Sequence, residues 1–293
     1  MADGASAPFS STFCGRPVPA DRALVMAIVN RTPDSFYSHT ASDDAAMARV
    51  DQAVAEGADV VDIGGVKAGP GDPVDAAQER DRVVPLIGRV RVAHPDLVIS
   101  IDTWRSEVAE AAVAAGADLI NDTWAGADAA LVSTAARMGA GVVCSHTGGA
   151  VPRTRPHRVR YDDVVADVTA DLVARADTAL RAGVSRDSIV IDPTHDFGKN
   201  THHGLALLRH VNILVNTGWP VLMALSNKDF VGETLGVRLE ERLEGTLAAT
   251  ALAASSGARV FRVHEVAATR RVVDMVAAID GSRPPARTVR GLA

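Results

Sequence analysis

Cysteine is scarce in this chain, with only Cys14 and Cys144 in 293 residues. Two thiols so far apart in sequence provide neither a disulfide framework nor the spacing of a metal site. No apolar run approaches the ~20 residues of a membrane-spanning helix, and Met1 to Ala20 lacks the charged-then-apolar order of a secretion signal. We therefore predict a cytoplasmic protein that folds without disulfides and without a membrane anchor.

Basic surface is also sparse, since the formal net charge is −6 and no basic stripe with interleaved aromatic residues occurs. This argues against a nucleic-acid partner. The densest basic stretch, Arg153 to Arg160, contains two prolines and predicts a solvated loop, with an anion-binding role as the alternative. At 47% hydrophobic residues the chain can bury one full-sized core. We predict one domain over residues 21–280, between poorly ordered tails at 1–20 and 281–293.

Eight short apolar runs, rich in β-branched residues, have the pattern of strands that are buried on both faces. The segments between them carry apolar residues at helical spacing, as in Val164 to Ala182. Glycines that separate a helical segment from the next strand predict left-handed helix ends, at Gly57, Gly116, Gly139, Gly183, Gly218 and Gly257. The predicted strands are Leu24 to Val29, Val60 to Ile63, Leu97 to Ile101, Asp118 to Ile120, Gly141 to Cys144, Ile189 to Ile191, Val221 to Leu225 and Val260 to Val263.

Eight strand–helix units imply either a closed barrel or a long doubly wound sheet, because parallel strands need crossover connections. No Gly-x-Gly-x-x-Gly turn follows the first strand, which weakens a dinucleotide-binding interpretation. The span of the units is close to the ~250 residues of a typical barrel. We therefore predict an α/β fold, a single (β/α)8 TIM barrel, in which strand eight lies beside strand one.

Polar or ionisable residues end every apolar run and would share the carboxyl-terminal rim, where barrels of this kind carry their sites. Asp102 and Asp192 suit a ligand edge with two parallel N–H donors, such as the aminopyrimidinone of guanine or a pterin, although backbone N–H groups or Lys228 are alternative partners. An amide, a guanidinium and an imidazole predict an anion site. These rim residues are Asn30, Asp62, Asp102, Asn121 with Asp122, His146, Asp192, Lys228, and Arg262 with His264.

Six motifs in order between Ala23 and Ala278 resemble dihydropteroate synthase. They are Ile28-Val29-Asn30-Arg31-Thr32-Pro33-Asp34-Ser35-Phe36, Asp62-Ile63-Gly64-Gly65, Ser100-Ile101-Asp102-Thr103, Ile120-Asn121-Asp122, Asp192-Pro193 with Phe197-Gly198-Lys199, and Arg262-Val263-His264-Glu265-Val266. That family joins a dihydropterin pyrophosphate to p-aminobenzoate in folate biosynthesis. The resemblance implies a transferase of the barrel fold, Mg²⁺ to assist pyrophosphate departure, and a homodimer formed through the last helices, here Leu239 to Ser255 and Ala267 to Ala278.

The resemblance also implies roles for individual residues. The residues corresponding to a pterin site are Asp102, Asn121, Asp192, Lys228 and Phe197. The pyrophosphate site would comprise Asn30, Arg262 and His264, with Asn30 as the Mg²⁺ ligand. Lys228, Arg262 and His264 would carry any catalysis.

Departures from the family pattern concentrate in the loops that close over substrate. After strand two, Ala68-Gly69 replaces the family's Thr-Arg, and after strand seven Ser226-Asn227-Lys228 replaces Ser-Arg-Lys. Ser145 stands where the family has Met before His, Tyr37-Ser38-His39 replaces Ser-Asp-Gly in loop one, and Thr194-His195-Asp196 replaces a turn that contains glycine. Losing one preorganised donor typically lowers a rate ~10²- to 10³-fold.

We therefore predict a dihydropteroate synthase homologue with very weak or no synthase activity, for which a pterin-like or phosphorylated small molecule is the candidate ligand. The alternative is an active synthase in which Lys67 and the loop from Arg153 to Arg160 replace the lost charge. A third hypothesis is a barrel enzyme that acts on another phosphorylated heterocycle.

Overall fold

The structure, a computed structural model, describes residues 9–32, 42–154 and 160–290. The predictions for the tail at 1–8, for loop one at 33–41, for the basic stretch at 155–159 and for the tail at 291–293 lie outside the described residues.

Eight parallel strands follow a short antiparallel hairpin of β1 (Thr12–Phe13) and β2 (Arg16–Pro17). They are β3 (Leu24–Asn30), β4 (Val60–Gly64), β5 (Val98–Asp102), β6 (Leu119–Asp122), β7 (Gly141–Ser145), β8 (Ile189–Asp192), β9 (Leu222–Met223) and β10 (Val260–Val263). The sheet order is β8-β7-β6-β5-β4-β3-β10-β9, and a parallel bridge between Ile191 and Val221 joins its two ends. The predicted barrel is confirmed, including the pairing of strand eight (β10) with strand one (β3).

Helices surround the barrel and follow its strands. They are α1 (Asp43–Ala55), α2 (Ala76–Ala93), α3 (Ser106–Ala114), α4 (Leu131–Met138), α5 (Val164–Ala182), α6 (Thr201–Arg209), α7 (Val211–Val215), α8 (Asp229–Leu235), α9 (Leu243–Ser255) and α10 (Val266–Ile279), with 3₁₀ turns at Arg186–Ser188 and Leu239–Glu241. The six glycines predicted to be left-handed all have positive φ. Gly183, for example, ends α5 at φ 103°, where a side chain would be strained.

No helix in the described part of the chain is long and apolar enough to cross a membrane.

The amino end of the barrel interior is apolar and is closed by the hairpin. Phe13 is buried in a cluster with inward-facing residues such as Leu24, Met26 and Val260. The Arg259 guanidinium donates hydrogen bonds to the carbonyl oxygens of Ser10 and Pro19. Residues from this segment, predicted as a tail, therefore pack against the barrel.

The barrel interior becomes polar toward the carboxyl end of the strands. Alternate residues of a strand face the same side, so the position two residues after each apolar inward-facing residue also points inward. On six strands that position holds a polar side chain: Asp62, Ser100, Asn121, Ser145, Asp192 and Arg262. The hydrogen bonds within this layer determine the geometry of the candidate site.

Candidate ligand-binding site

Asp62 lies at the centre of the polar layer and is fully buried. Its carboxylate accepts hydrogen bonds from the Ser100 hydroxyl at 2.6 Å, the Asn121 amide at 3.1 Å and Nε of Arg262 at 2.6 Å. A buried carboxylate requires such partners. Asp62 is one of the rim residues predicted from the sequence, but no role in the site was predicted for it. Its signal was a lone carboxylate in an apolar strand, two residues after the inward-facing Val60.

Arg262 crosses the interior and joins two carboxylates. Its Nε contacts Asp62, and its Nη2 donates to Oδ2 of Asp102 at 2.7 Å. Burial alone would lower the pKa of Arg262, but the two carboxylates raise it instead. The guanidinium therefore stays charged, and that charge is largely compensated by Asp62 and Asp102.

Asp102 is held at the end of β5 by Arg262 and by the hydroxyl of Thr123. Burial raises the pKa of Asp102 to about 6, and the nearby Arg262 charge opposes that shift. A Cβ atom at Gly64 would lie 3.4 Å from Oδ1 of Asn30 and 3.5 Å from Cβ of Asp102. Asn30 and Asp102 therefore flank the same glycine on the intervening strand.

Asp192 is almost fully buried at the end of β8. Its Oδ1 accepts a hydrogen bond from the Thr194 amide at 2.7 Å, and burial raises the pKa of Asp192 to about 6. Lys228, the alternative partner considered from the sequence, instead forms an ion pair with Asp196 at 2.6 Å. Within the described residues no group donates a hydrogen bond to the second oxygen, Oδ2, which is therefore available to a ligand N–H.

A cavity of about 310 Å³ opens at the carboxyl-terminal rim. The structure brings five of the predicted site residues into its lining, namely Asn30, Asp102, Lys228, Arg262 and His264. The cavity is also lined by Lys67, Ala68 and Asn227, three positions at which the chain departs from the family pattern. Asn121, Asp192 and Phe197 do not line this cavity.

His264 contacts Ser226, which follows the neighbouring strand β9. The Ser226 hydroxyl oxygen accepts a hydrogen bond from the His264 amide at 3.2 Å and lies 3.0 Å from its Nδ1. Burial, together with the charges of Arg262 and Lys228, lowers the pKa of His264 to about 3. The imidazole is therefore neutral at pH 7, so of the three residues predicted to bind an anion only Arg262 is cationic.

Phe197 packs edge-on against Trp124, with ring centroids 4.5 Å apart. Trp124 in turn contacts Trp104 at 6.4 Å, and the Arg105 guanidinium lies 4.4 Å from the Trp104 ring centroid. The two tryptophans thus form a packed aromatic cluster with Phe197 beside the rim. This cluster fixes the loop that carries Phe197.

Lys199, a residue of the fifth motif, fixes the same loop through a network of hydrogen bonds. Its buried Nζ lies 2.9 Å from Nδ1 of His146 and donates to the carbonyl oxygens of His146, Thr194 and Phe197 at 2.9–3.1 Å. Burial lowers the pKa of Lys199 to about 7, and burial with the Lys199 charge lowers the pKa of His146 to about 4. This network ties the end of β7 to the loop after β8.

Asp122 does not belong to the interior layer, although it was predicted at the rim beside Asn121. It occupies the outward-facing position of β6, and its carboxylate accepts hydrogen bonds from the Gly126 amide at 2.6 Å and the Trp124 amide at 3.3 Å. Burial raises its pKa to about 6. Because neighbouring residues of a strand face opposite sides, Asn121 and Asp122 cannot both point inward.

The described residues contain no group of three or more His, Cys, Asp or Glu side chains that could hold a metal ion. Asp62 and Asp102, the carboxylates nearest the interior cation, are both bound to Arg262. Asn30 would therefore supply one neutral oxygen to Mg²⁺. A magnesium ion bound here would need most of its ligands from phosphate oxygens and water, as is common for Mg²⁺.

The chain matches the family model for pterin binding enzymes over residues 26–264. A Mycobacterium leprae protein named inactive dihydropteroate synthase 2 is 68% identical over 289 residues, which cover 97% of this chain and 99% of the relative. A solved Mycobacterium tuberculosis structure is 56% identical with a TM-score of 0.75 and covers 94% of this chain and 100% of that one. The Xanthomonas albilineans dihydropteroate synthase in complex with 7,8-dihydropteroate is 38% identical with a TM-score of 0.79, covering 93% and 98%. The chain therefore belongs to the dihydropteroate synthase family of pterin-binding enzymes, as a divergent paralogue.

Proposed function

We propose that this paralogue binds an aminopyrimidinone heterocycle of the pterin class but supports little or no dihydropteroate synthesis. The observation that carries the proposal is the state of the cations at the rim cavity. Arg262 is bound by Asp62 and Asp102, and Lys228 is bound by Asp196. Asn227 and Gly69 stand where the family has arginine. A departing pyrophosphate would thus meet few uncompensated positive charges. Electrostatic stabilisation of the developing charge usually contributes most to the rate of such a step.

The capacity to bind a heterocycle rests on the buried carboxylates. Asp192 offers an oxygen without a hydrogen bond from the described residues, and its near-complete burial favours a bidentate pairing with two ligand N–H groups. Asn121 is oriented by Asp62, to which its amide donates. We propose that Asp192, Asn121 and Asp102 contact the ring, with Lys228 and Phe197 at its edge. The name of the Mycobacterium leprae relative, inactive dihydropteroate synthase 2, also supports the loss of synthase activity.

Asn30, Arg262 and His264 remain our proposed contacts for a phosphate group, with Mg²⁺ arriving on the phosphate oxygens. The single amide oxygen of Asn30 fits a Mg²⁺ ion that retains its other ligands. The ion would neutralise phosphate charge, and Arg262 would orient one phosphate oxygen.

The cytoplasmic location of the protein also stays a prediction.

The first test measures both halves of the proposal on the full chain. Calorimetry with 6-hydroxymethyl-7,8-dihydropterin should show binding that Asp192→Ala abolishes and that Asp44→Ala, on the exposed side of α1, leaves intact. Turnover of the dihydropterin pyrophosphate with p-aminobenzoate and Mg²⁺ should be at least ~10³-fold below that of an active family member, from the loss of two preorganised donors. Turnover comparable to an active synthase would refute the proposal.

A gain-of-function variant sharpens that test. Restoring the missing guanidinium with Asn227→Arg, alone and with Ala68→Thr plus Gly69→Arg, should raise turnover in steps if the lost cations limit the rate. Asn227→Gln provides the matched control, because it lengthens the side chain without adding charge. If neither arginine variant raises turnover, the lost cations do not limit the rate and the proposed cause is wrong.

An active synthase is the alternative, and Lys67 favours it because this cation lines the cavity. The other compensating group considered from the sequence, the loop that begins at Arg153, makes a different contact: Nη1 of Arg153 donates to the Asp72 carbonyl oxygen at 2.5 Å. Complementation of a synthase-deficient strain distinguishes the two functions. Growth that depends on Lys67, and is lost in Lys67→Met, would establish the active alternative.

We also propose a homodimer through α9 and α10. Leu252, Met275 and Ile279 are 64%, 60% and 73% exposed on these two helices, and α9 is rich in apolar residues. Exposed apolar residues grouped on neighbouring helices mark an association surface. Sedimentation should show a dimer that Leu252→Asp converts to a monomer, whereas Val92→Asp, at an exposed apolar residue of α2, should leave it dimeric. A monomeric wild-type protein at micromolar concentration would refute the dimer.

A further inference from the structure

Ser145 at the end of β7 has a hydroxyl that nothing in the structure explains. The side chain is fully buried, and its Oγ has no hydrogen-bond partner among the described residues. A buried hydroxyl without a partner destabilises a folded protein, so such groups are rare and call for a reason. Where the family has methionine, this chain has placed a polar group in the interior.

The position of Ser145 relates that hydroxyl to the proposed ligand. Its strand neighbour in the parallel register is Asp192. Val143 faces the barrel interior and Cys144 faces the helices, so alternation directs Ser145 inward. Ser145 and Asp192 are therefore adjacent, inward-facing residues on neighbouring strands, about 5 Å apart across the sheet.

These two paired residues thus each carry a polar atom without a hydrogen-bond partner among the described residues, the Ser145 hydroxyl and Oδ2 of Asp192. Ser100, an inward-facing serine two strands away from β7, shows the usual arrangement, because its hydroxyl donates to Asp62 at 2.6 Å. A ligand that places an N–H edge on Asp192 brings its remaining polar atoms next to the neighbouring strand. The hydrogen-bonding groups of the aminopyrimidinone edge are already assigned to Asp192, Asn121 and Lys228 in the proposed function.

We propose that Ser145 is a specificity-determining residue that hydrogen-bonds a nitrogen in the second ring of a fused heterocycle held by Asp192. The preferred ligand class is then a two-ring aminopyrimidinone with nitrogen in its second ring, over the carbocyclic analogue. This inference rests on the proposed function, since it requires that Asp192 hold the ring. A hydroxyl can donate to such a nitrogen or accept from a ring N–H.

A comparison of two ligands isolates the contact. Pterin and 2-amino-4(3H)-quinazolinone share the aminopyrimidinone edge, but the second compound has C–H in place of both second-ring nitrogens. Wild-type protein should bind pterin more tightly, and Ser145→Ala should reduce the ratio of the two dissociation constants by about tenfold, the effect of one buried hydrogen bond. Calorimetry on the full chain provides both constants, and taking the ratio removes differences in ligand hydrophobicity.

Stability of the unliganded protein gives a second, independent measurement. Ser145→Ala removes an unmatched hydroxyl and should leave the melting temperature unchanged or raised, while Ser100→Ala removes a matched one and should lower it. A melting temperature that falls as far in Ser145→Ala as in Ser100→Ala would show that the hydroxyl is used structurally and would overturn the inference. An unchanged ratio of dissociation constants in Ser145→Ala would also overturn it, while leaving the proposed function intact. Failure of wild-type protein to bind either compound would overturn both.

Discussion

Substitution of Asp62 by alanine tests whether the buried polar layer is as tightly organised as its geometry indicates. The carboxylate serves three donors, and its removal would leave the Arg262 guanidinium with Asp102 alone and would strip Ser100 and Asn121 of their acceptor. Breaking a buried ion pair by removing one partner typically costs about 3–5 kcal/mol. The separate losses are not additive, because water entering the space left by the side chain can serve the same donors. We expect about 3–5 kcal/mol in total, a large part of the ~5–15 kcal/mol stability of a typical domain.

Urea unfolding of Asp62→Ala, followed by circular dichroism, measures this loss as a change in midpoint at constant slope. Asp62→Asn should lose less, because the amide oxygen still accepts one hydrogen bond while the ion pair is gone. Asp44→Ala is the control, since Asp44 also pairs with an arginine, at 2.8 Å, but its side chain is 92% exposed and the pair is screened by water. If Asp62→Ala costs less than about 1 kcal/mol, the account of the polar layer as an obligatory network is refuted.

Three further predictions concern groups outside that layer. The Lys199 contribution to the free energy of unfolding should rise by up to about 1.4 kcal/mol per pH unit between about pH 7 and 10.5. In that range the unfolded chain holds the lysine proton and the folded chain does not. A Lys199→Met variant whose free energy of unfolding keeps the same dependence on pH would contradict this. Burial raises the pKa of Cys144 to about 12, so at pH 8 this thiol of the native protein should react with iodoacetamide only as fast as the protein unfolds. Mass spectrometry detects the label, and rapid labelling of Cys144 would show that the thiol is accessible and would contradict this prediction. Gly88→Ala within α2 should stabilise the fold by about 0.5–1 kcal/mol, since nothing lies within 4 Å of the new Cβ. Gly141→Ala should destabilise the fold, because its Cβ would lie 2.6 Å from the Ser188 carbonyl oxygen. Equal melting temperatures for the two variants would contradict this difference in packing.

The fold could be predicted because its signals are local and repeated. The predicted helix Val164 to Ala182 is reproduced as α5, and the predicted first strand Leu24 to Val29 differs from β3 only by one residue. The seventh strand was predicted over five residues, Val221 to Leu225, and only Leu222–Met223 is a strand in the structure. The residues that follow it, among them Ala224, Ser226 and Lys228, line the rim cavity. Periodicity reports burial, whereas strand ends depend on tertiary hydrogen bonds that no local pattern contains.

The site was less accessible from sequence, for a physical reason. Spacing placed Arg262 and Asp62 on the same rim, but the ion pair joins residues that are 200 positions apart, and a side chain of that length has several carboxylates within reach. The side of β6 on which the Asp122 side chain lies was likewise not predicted. Alternation along the strand from the inward-facing Leu119 would have placed it on the outer face. That simple parity rule, applied to each strand, also identifies Asp62, Ser100 and Ser145 as interior residues.

The balance of charges at the rim explains how this chain can lose the synthase reaction and still bind a heterocycle. Among the described residues, the cavity is lined by the cations Lys67, Lys228 and Arg262 and by the carboxylates Asp102 and Asp196. Arg262 also pairs with the buried Asp62, so the count is three cations to three carboxylates. The family pattern adds an arginine in each of two loops, and this chain has Gly69 and Asn227 there. A balanced cavity can still orient a neutral heterocycle through directional hydrogen bonds, which do not depend on net charge. It offers no surplus charge to a departing pyrophosphate, and that surplus is what the two loop arginines would have provided. Loss of the reaction and retention of ring binding are therefore compatible consequences of the same substitutions.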